Sequence, residues 1–313
     1  PEGGSPGPRP ASRTVDHRGS QMLRNMKVGT KILTVLVAPL LVLGVLAGLG
    51  VQERRADANS AKDTEQFAEV AAADSDTAHE LQLERIFPAE YLGSGGQEGG
   101  DDLVRQREAT DEAISQLKPL LVGIDFASAT TTMGEVVASV QDHLNGLDDL
   151  RASVDAQELS AQAALSGYAE TNDTLLALNG EIGASIAVPE LAASFNDYVS
   201  LAKAKEASAT AIADVTAVLA AGGFGDGDLD LIVEAAQEEQ SHLDRFAESQ
   251  DRAYKTRLEN ELGRPEVQAS QDLQAQVIAA GSLGGSGAPE ILVDDWVSAG
   301  TDRPLDACLV PER

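Results

Sequence analysis

The feature that most constrains this chain is an uncharged stretch of twenty residues, ILTVLVAPLLVLGVLAGLGV, from Ile32 to Val51. At about 1.5 Å rise per residue, a helix of this length spans the roughly 30 Å hydrocarbon core of a bilayer. A cleaved signal peptide is the alternative, and the small residues Ala47 and Gly48 permit it. The apolar part of a signal peptide is shorter, however, at about 7 to 15 residues. The stretch therefore predicts a transmembrane helix over residues 32–51.

The charges on the two sides of this stretch differ sharply. Residues 1–31 hold six basic and two acidic side chains. The chain has 23 basic and 51 acidic residues in all, so residues 32–313 hold 17 basic and 49 acidic ones and carry a net charge of −32. The positive-inside rule then keeps residues 1–31 in the cytoplasm, as a disordered tail, and places the main domain outside a single-pass cell-membrane protein. The acidic domain is a poor partner for nucleic acid or for anionic lipid.

Chemical motifs are few. The single cysteine, Cys308, permits no internal disulfide, and the chain contains no G-x-S-x-G, P-loop, H-E-x-x-H or C-x-x-C motif. We therefore expect no enzyme activity, no cofactor and no metal site in this chain.

The composition predicts an all-α fold, because aromatic residues make up only 4% and apolar residues recur at helical spacing. Two tandem up-down four-helix bundles account for the helices, over residues 56–188 and 189–303, before an irregular tail, 304–313. The predicted helices run from Ala56 to Leu92, from Asp101 to about Pro119, from Thr131 to Val154, from Ser160, from Pro189 to Gly222, from Asp228 to Leu258, from Pro265 to Ala280, and from Pro289.

Several segments resemble the nitrate- and nitrite-sensing domain found outside the membrane in actinobacterial sensor histidine kinases and in some bacterial regulators. LQLERIFPAEYLGSGG (Leu81–Gly96) is similar to the family's L-Q-x-E-R…A-x-Y-L-x-S-G-G, and LVRQREATDEAISQL (Leu103–Leu117) to its L-x-x-Q-R-x-x-T-D-x-A. Shorter matches follow in AKEAS (Ala204–Ser208), VLAAGGF (Val218–Phe224) and DWVSAGTDR (Asp295–Arg303). The resemblance implies two four-helix bundles that sense nitrate or nitrite.

The resemblance also implies an anion-binding arginine at Arg85, in the E-R step of the first helix. The residues support an inward position, because Arg85 follows Leu81 by four residues and Ala78 by seven. A guanidinium suits nitrate, which is planar like a carboxylate. A salt bridge to a neighbour such as Glu84 or Asp111 is the alternative.

The second anion-binding arginine of the family, on its fifth helix, aligns with Ile212, so half of the expected positive charge is missing. Arg107, between Leu103 and Ile114, is another inward candidate for the anion site, and a pair with Asp111 is its alternative. Pro88, one turn after Arg85, also departs from the family pattern.

Two functions of different classes follow. The first is the membrane-anchored, extracytoplasmic input domain of a two-component-type signalling protein, with nitrate or nitrite as ligand. The second is a membrane-anchored helical interaction or dimerisation module, possible as a homodimer, that has lost ligand binding. Family members continue into a second membrane helix and a kinase. Neither follows Arg313 here, which leads us to expect a truncated or frame-shifted sensor.

Overall fold

The computed structural model describes residues 66–123, 131–186, 188–249, 252–284 and 287–301, and most of these residues are helical. No strand occurs within these ranges, so the all-α prediction is confirmed for the part of the chain that the structure describes. The division into two four-helix bundles stays a prediction. In chain order the helices are α1 (66–93), α2 (Gly100–Gly123), α3 (Thr131–Asp155), α4 (Ala161–Ser185), α5 (Pro189–Ala221), α6 (Asp228–Ser249), α7 (Arg252–Leu262), α8 (Pro265–Ser282) and α9 (Val293–Thr301).

Short sequence signals set several helix ends. After α1, Gly96 adopts a φ of 80° and donates its N–H to the carbonyl of Tyr91 at 2.7 Å, which terminates the helix. The Ser160 side chain caps α4 by accepting the backbone N–H three residues further on. Helix α5 begins at Pro189 and is capped after Ala221 by Gly222, whose left-handed φ of 71° only glycine adopts readily.

Two predicted boundaries are wrong. Helix α2 does not stop at Pro119 but continues to Gly123, because Leu117 and Leu121 on either side of the proline are both fully buried. Their packing offsets the hydrogen bond that the proline cannot make. The helix predicted to end at Leu258 ends instead at Leu262, the last residue of α7; residues 250 and 251, between α6 and α7, lie outside the described ranges.

Helix α1 contributes to two hydrophobic cores. Its first turns, from Val70 to Leu81, pack into a core that α2, α3 and α4 complete. Its later turns, from Ile86, pack into a second core with residues of α5, α6, α8 and α9, in which Trp296 is fully buried. The polar residues between Leu81 and Ile86 are therefore held at the junction of the two cores.

None of the helices in the described ranges combines the length and apolar character that a membrane crossing requires. The predicted span Ile32–Val51 lies outside those ranges, as do the tails 1–31 and 304–313.

Candidate anion site at Arg85

Arg85 lies at this junction with only 1% of its surface exposed, as its place on the apolar stripe predicts. Its Nη1 donates a hydrogen bond to Oε1 of Glu206 on α5, over 2.7 Å. A buried guanidinium requires such a counter-ion, because an uncompensated interior charge costs several kcal/mol. The partner is therefore a carboxylate from a distant helix, and neither Glu84 nor Asp111.

A second residue of α1 holds the same carboxylate. Gln82 donates from Nε2 to Oε2 of Glu206 at 2.9 Å, and Gln82 is itself buried. Residues three apart on a helix share a face, so Gln82 and Arg85 present their donors together. Each oxygen of Glu206 thus receives one hydrogen bond from one turn of α1.

The guanidinium of Arg85 is not saturated by this contact. Its Nε and Nη2 are buried and have no hydrogen-bond partner among the described residues. A buried donor without a partner costs roughly 1–3 kcal/mol, and more when it is charged. Arg85 therefore holds two hydrogen-bonding groups that a small oxyanion would satisfy.

Arg85 also lines a cavity of about 240 Å³ between α1, α4, α5 and α6. Three carboxylates line the same cavity, those of Asp214, Glu234 and Glu238. Burial raises the pKa of Asp214 to about 6; the nearby Arg85 charge opposes this shift and the charge of Asp228 adds to it. The cavity thus combines one buried cation with an acidic wall.

Arg107, the other candidate, lies in a separate cluster. Its Nη1 donates to Asp155 at 2.9 Å, and its Nε is 3.8 Å from Oε1 of Glu84. Asp111 does not pair with it, because Asp111 accepts a hydrogen bond from Arg151 at 2.6 Å. The structure therefore does not bring Arg107 and Arg85 to one site.

This second cluster centres on Glu84, whose side chain is fully buried. Arg151 binds both of its oxygens, at 2.8 and 2.7 Å, and the Tyr168 hydroxyl donates to Oε1 at 2.7 Å. Burial and the neighbouring Glu84 raise the pKa of Tyr168 well above its usual range. Because these partners already bind both oxygens of Glu84, we interpret the cluster as a structural ion pair that joins α1, α3 and α4.

A comparison with protein-family models matches residues 76–304 to the family described as nitrate and nitrite sensing. The chain belongs to this nitrate and nitrite sensing family. Among solved structures, the chain is similar to the NasR transcription antiterminator, with a TM-score of 0.70 and 19% sequence identity. The match covers 84% of this chain and 70% of that one. At 19% identity it shows a similarity of fold alone. No curated protein matches significantly.

The position where the family resemblance places a second arginine is apolar and well packed. Ile212 is 5% exposed and belongs to the second core. Trp296 donates its indole N–H to the Ile212 carbonyl at 3.0 Å, and a Cβ on Gly300 of α9 would lie 3.0 Å from the Ile212 side chain. Helix α9 therefore packs directly over this position.

A second cavity, of about 520 Å³, has Gln82 in its lining. Its lining is mostly apolar, with alanines of α1 and the paired rings of Phe195 and Tyr198, and Lys205 and His79 also contribute. In the described part of the chain, no group of three or more His, Cys, Asp or Glu side chains is arranged to hold a metal.

Sequence reasoning assigned no role to Gln82 or Glu206, although both stand in the segments that resemble the family. A signal was present for each. Gln82 precedes Arg85 by three residues, and Glu206 is a lone carboxylate on a face of small residues, between Ala202 and Ala209. The pairing itself joins residues 121 positions apart.

Proposed function

We propose that this chain is a sensor domain that binds a small planar anion, nitrate or nitrite, at Arg85. One observation carries the proposal: a buried arginine beside a cavity keeps two nitrogens without a partner among the described residues. Membership of the nitrate and nitrite sensing family supports this choice of ligand. The planar fork of the guanidinium matches the planar oxygens of nitrate.

The site is expected to be weak. A charge-assisted hydrogen bond contributes roughly 1.5–3 kcal/mol, so a site with one arginine binds about 10- to 100-fold less tightly than a site with two. With Ile212 in place of a second arginine, we expect a dissociation constant on the order of millimolar. Arg107, tied to Asp155 in another cluster, is not expected to contribute.

We further propose that the domain is the extracytoplasmic input region of a two-component-type sensor in the cell membrane. In this proposal residues 32–51 form the anchor, and residues 56–188 and 189–303 form two four-helix bundles. The charge step across the apolar stretch supports the orientation, and the net charge of −32 after residue 31 disfavours nucleic acid as a partner.

A helical interaction or dimerisation module is the second candidate. Two observations favour it: Glu206 already neutralises Arg85, and Ile212 supplies no second charge. Such a module keeps the fold of the family without its ligand.

The two candidates differ in anion binding, which a thermal-shift titration of the full chain in detergent micelles measures. Nitrate, nitrite and chloride replace gluconate at constant ionic strength, and binding to the folded state raises the melting temperature. We expect nitrate and nitrite to stabilise the wild type, Arg85→Gln to lose the response, and the matched variant Arg107→Gln to keep it. A response that survives Arg85→Gln would reject the site. No response in the wild type would favour the interaction module.

A further inference from the structure

Glu206 is held as an oxyanion ligand would be held. Its Oε1 accepts from Arg85 Nη1 at 2.7 Å, with the Thr210 hydroxyl of the same helix at 3.5 Å, and its Oε2 accepts from Gln82 Nε2 at 2.9 Å. A carboxylate and a nitrate share a planar arrangement of oxygens around the central atom. The contact is therefore a built binding site for a planar oxyanion, occupied by a side chain of the protein itself.

We infer that Gln82 and Arg85 together form the anion-binding pair, and that the anion binds by displacing the carboxylate of Glu206. This inference rests on the proposed function and adds a second binding residue and an internal competitor to it. Gln82 then supplies the second donor that the residue at position 212 does not.

The charges in the site favour an exchange over a simple addition. An anion added beside Arg85 would bring negative charge to a cavity that already has Asp214, Glu234 and Glu238 in its wall. An anion that replaces Glu206 leaves the charge next to Arg85 unchanged. One arginine is then sufficient to balance the ligand.

The two partners differ in how easily they reach water. The side chain of Glu206 is 11% exposed, whereas that of Arg85 is 1% exposed. Glu206 is therefore the member that leaves the pair, because its charge is hydrated once it turns outward, while Arg85 stays buried. The Nε and Nη2 nitrogens of Arg85, which have no partner among the described residues, remain for the third oxygen that nitrate has and a carboxylate lacks.

The displacement also provides a signal. In the structure Glu206 ties α5 to one turn of α1 through Gln82 and Arg85. An anion takes over both donors but has no covalent link to α5, so this tie between the helices is lost on binding. Anion occupancy is thereby converted into a change in how α1 is held by α5.

The test compares nitrate binding by the wild type and Glu206→Gln in the full chain, with the thermal-shift titration described above. The amide keeps the shape of the side chain and removes its charge, so it competes less well. We expect nitrate to bind Glu206→Gln about 10- to 100-fold more tightly, which is the effect of one charge-assisted hydrogen bond. Asp155→Asn is the matched control, because it removes the carboxylate partner of Arg107 and should leave nitrate affinity unchanged.

Gln82→Leu tests the second donor. Because Gln82 also holds Glu206, the substitution is made in the Glu206→Gln background, where a weaker hold on the competing carboxylate cannot hide the loss of a donor to nitrate. We expect nitrate affinity to fall about tenfold there. Formate, which has the carboxylate geometry of Glu206, should also bind Glu206→Gln, and chloride should bind much less. Should Glu206→Gln fail to fold, Glu206→Asp replaces it, since a carboxylate one methylene shorter loses its reach and nitrate affinity again rises.

The outcomes separate the two proposals. If nitrate binds the wild type through Arg85 with an affinity that neither Glu206 variant changes, the displacement is overturned and the proposed function stands. If Gln82→Leu leaves nitrate affinity unchanged, its role as a binding residue is overturned. If nitrate binds neither the wild type nor a folded Glu206 variant, the proposed function itself is overturned.

Discussion

Asp214 links the cavity beside Arg85 to pH. Burial raises the pKa of its carboxyl to about 6, above the 3.8 of an unperturbed aspartate, and this outweighs the opposing effect of Arg85. The folded state therefore binds this proton more tightly than the unfolded state does. The stability that Asp214 contributes is fully present below pH 3.8 and is lost as the pH rises through 6.

Asp214→Asn should remove this pH dependence. Between pH 4.5 and 7.5 the wild type is expected to lose about 2 kcal/mol relative to the variant, since each unit of pKa shift corresponds to about 1.4 kcal/mol. Urea unfolding of both proteins at the two pH values measures the difference. If the free energies of unfolding of the wild type and the variant differ by the same amount at both pH values, Asp214 is not protonated preferentially in the folded state.

The burial of Arg85 was predictable from the sequence, but its partner was not. The spacing from Leu81 places it on an inward face, and helical geometry alone fixes this. Glu206 lies 121 residues away, and no local pattern selects it over the nearer Glu84 or Asp111. Glu84 is unavailable because Arg151, on another helix, binds both of its oxygens.

At the scale of elements, helix existence was predicted better than helix ends. Pro189, Gly222 and the glycines after residue 92 mark boundaries because they act on the local backbone. Pro119 misleads for the opposite reason, because its local cost is offset by burial of Leu117 and Leu121 on either side. Whether a proline ends a helix therefore depends on packing partners that the local sequence does not specify.

Helix α1 lies close against α5 at Gly93. A Cβ at this position would lie 2.9 Å from the Ala220 Cβ and 3.0 Å from the Ala217 carbonyl oxygen. Gly93→Ala must push the two helices apart, and overpacking of this kind costs about 1–3 kcal/mol. Thermal unfolding measures this loss, and we expect a melting temperature several degrees lower, on the order of 3–8 °C.

Gly146→Ala is the matched control for this prediction. Gly146 lies inside α3, is exposed, and a Cβ there would meet nothing within 4 Å. Because alanine is the better helix former by about 0.5–1 kcal/mol, this variant should raise the melting temperature. A similar change in both variants would mean that helix propensity, and not the contact with α5, decides the result at Gly93.

At the scale of the whole molecule, the all-α class follows from composition and periodicity, and the family follows from motifs in α1, α2 and α5. The chemistry of the site does not follow from either. The family segments point to Arg85 and to an absent second arginine, whereas the structure pairs Arg85 with an acidic residue and a glutamine. This difference arises from the way α1 and α5 are brought together by two cores, which is a property of the assembled fold.

The orientation in the membrane is a prediction of the same scale, because the basic residues of segment 1–31 decide on which side of the membrane the whole of the remaining chain lies. Single cysteines at Ser115 and Ser241, both exposed in the structure, report on the main domain, with Cys308 replaced by serine. In intact spheroplasts a membrane-impermeant maleimide should label both positions. A cysteine at Ser20, in the basic tail, is the control and should be labelled only after lysis. The reverse pattern would place the anion site in the cytoplasm, and the domain would then report on internal rather than external nitrate.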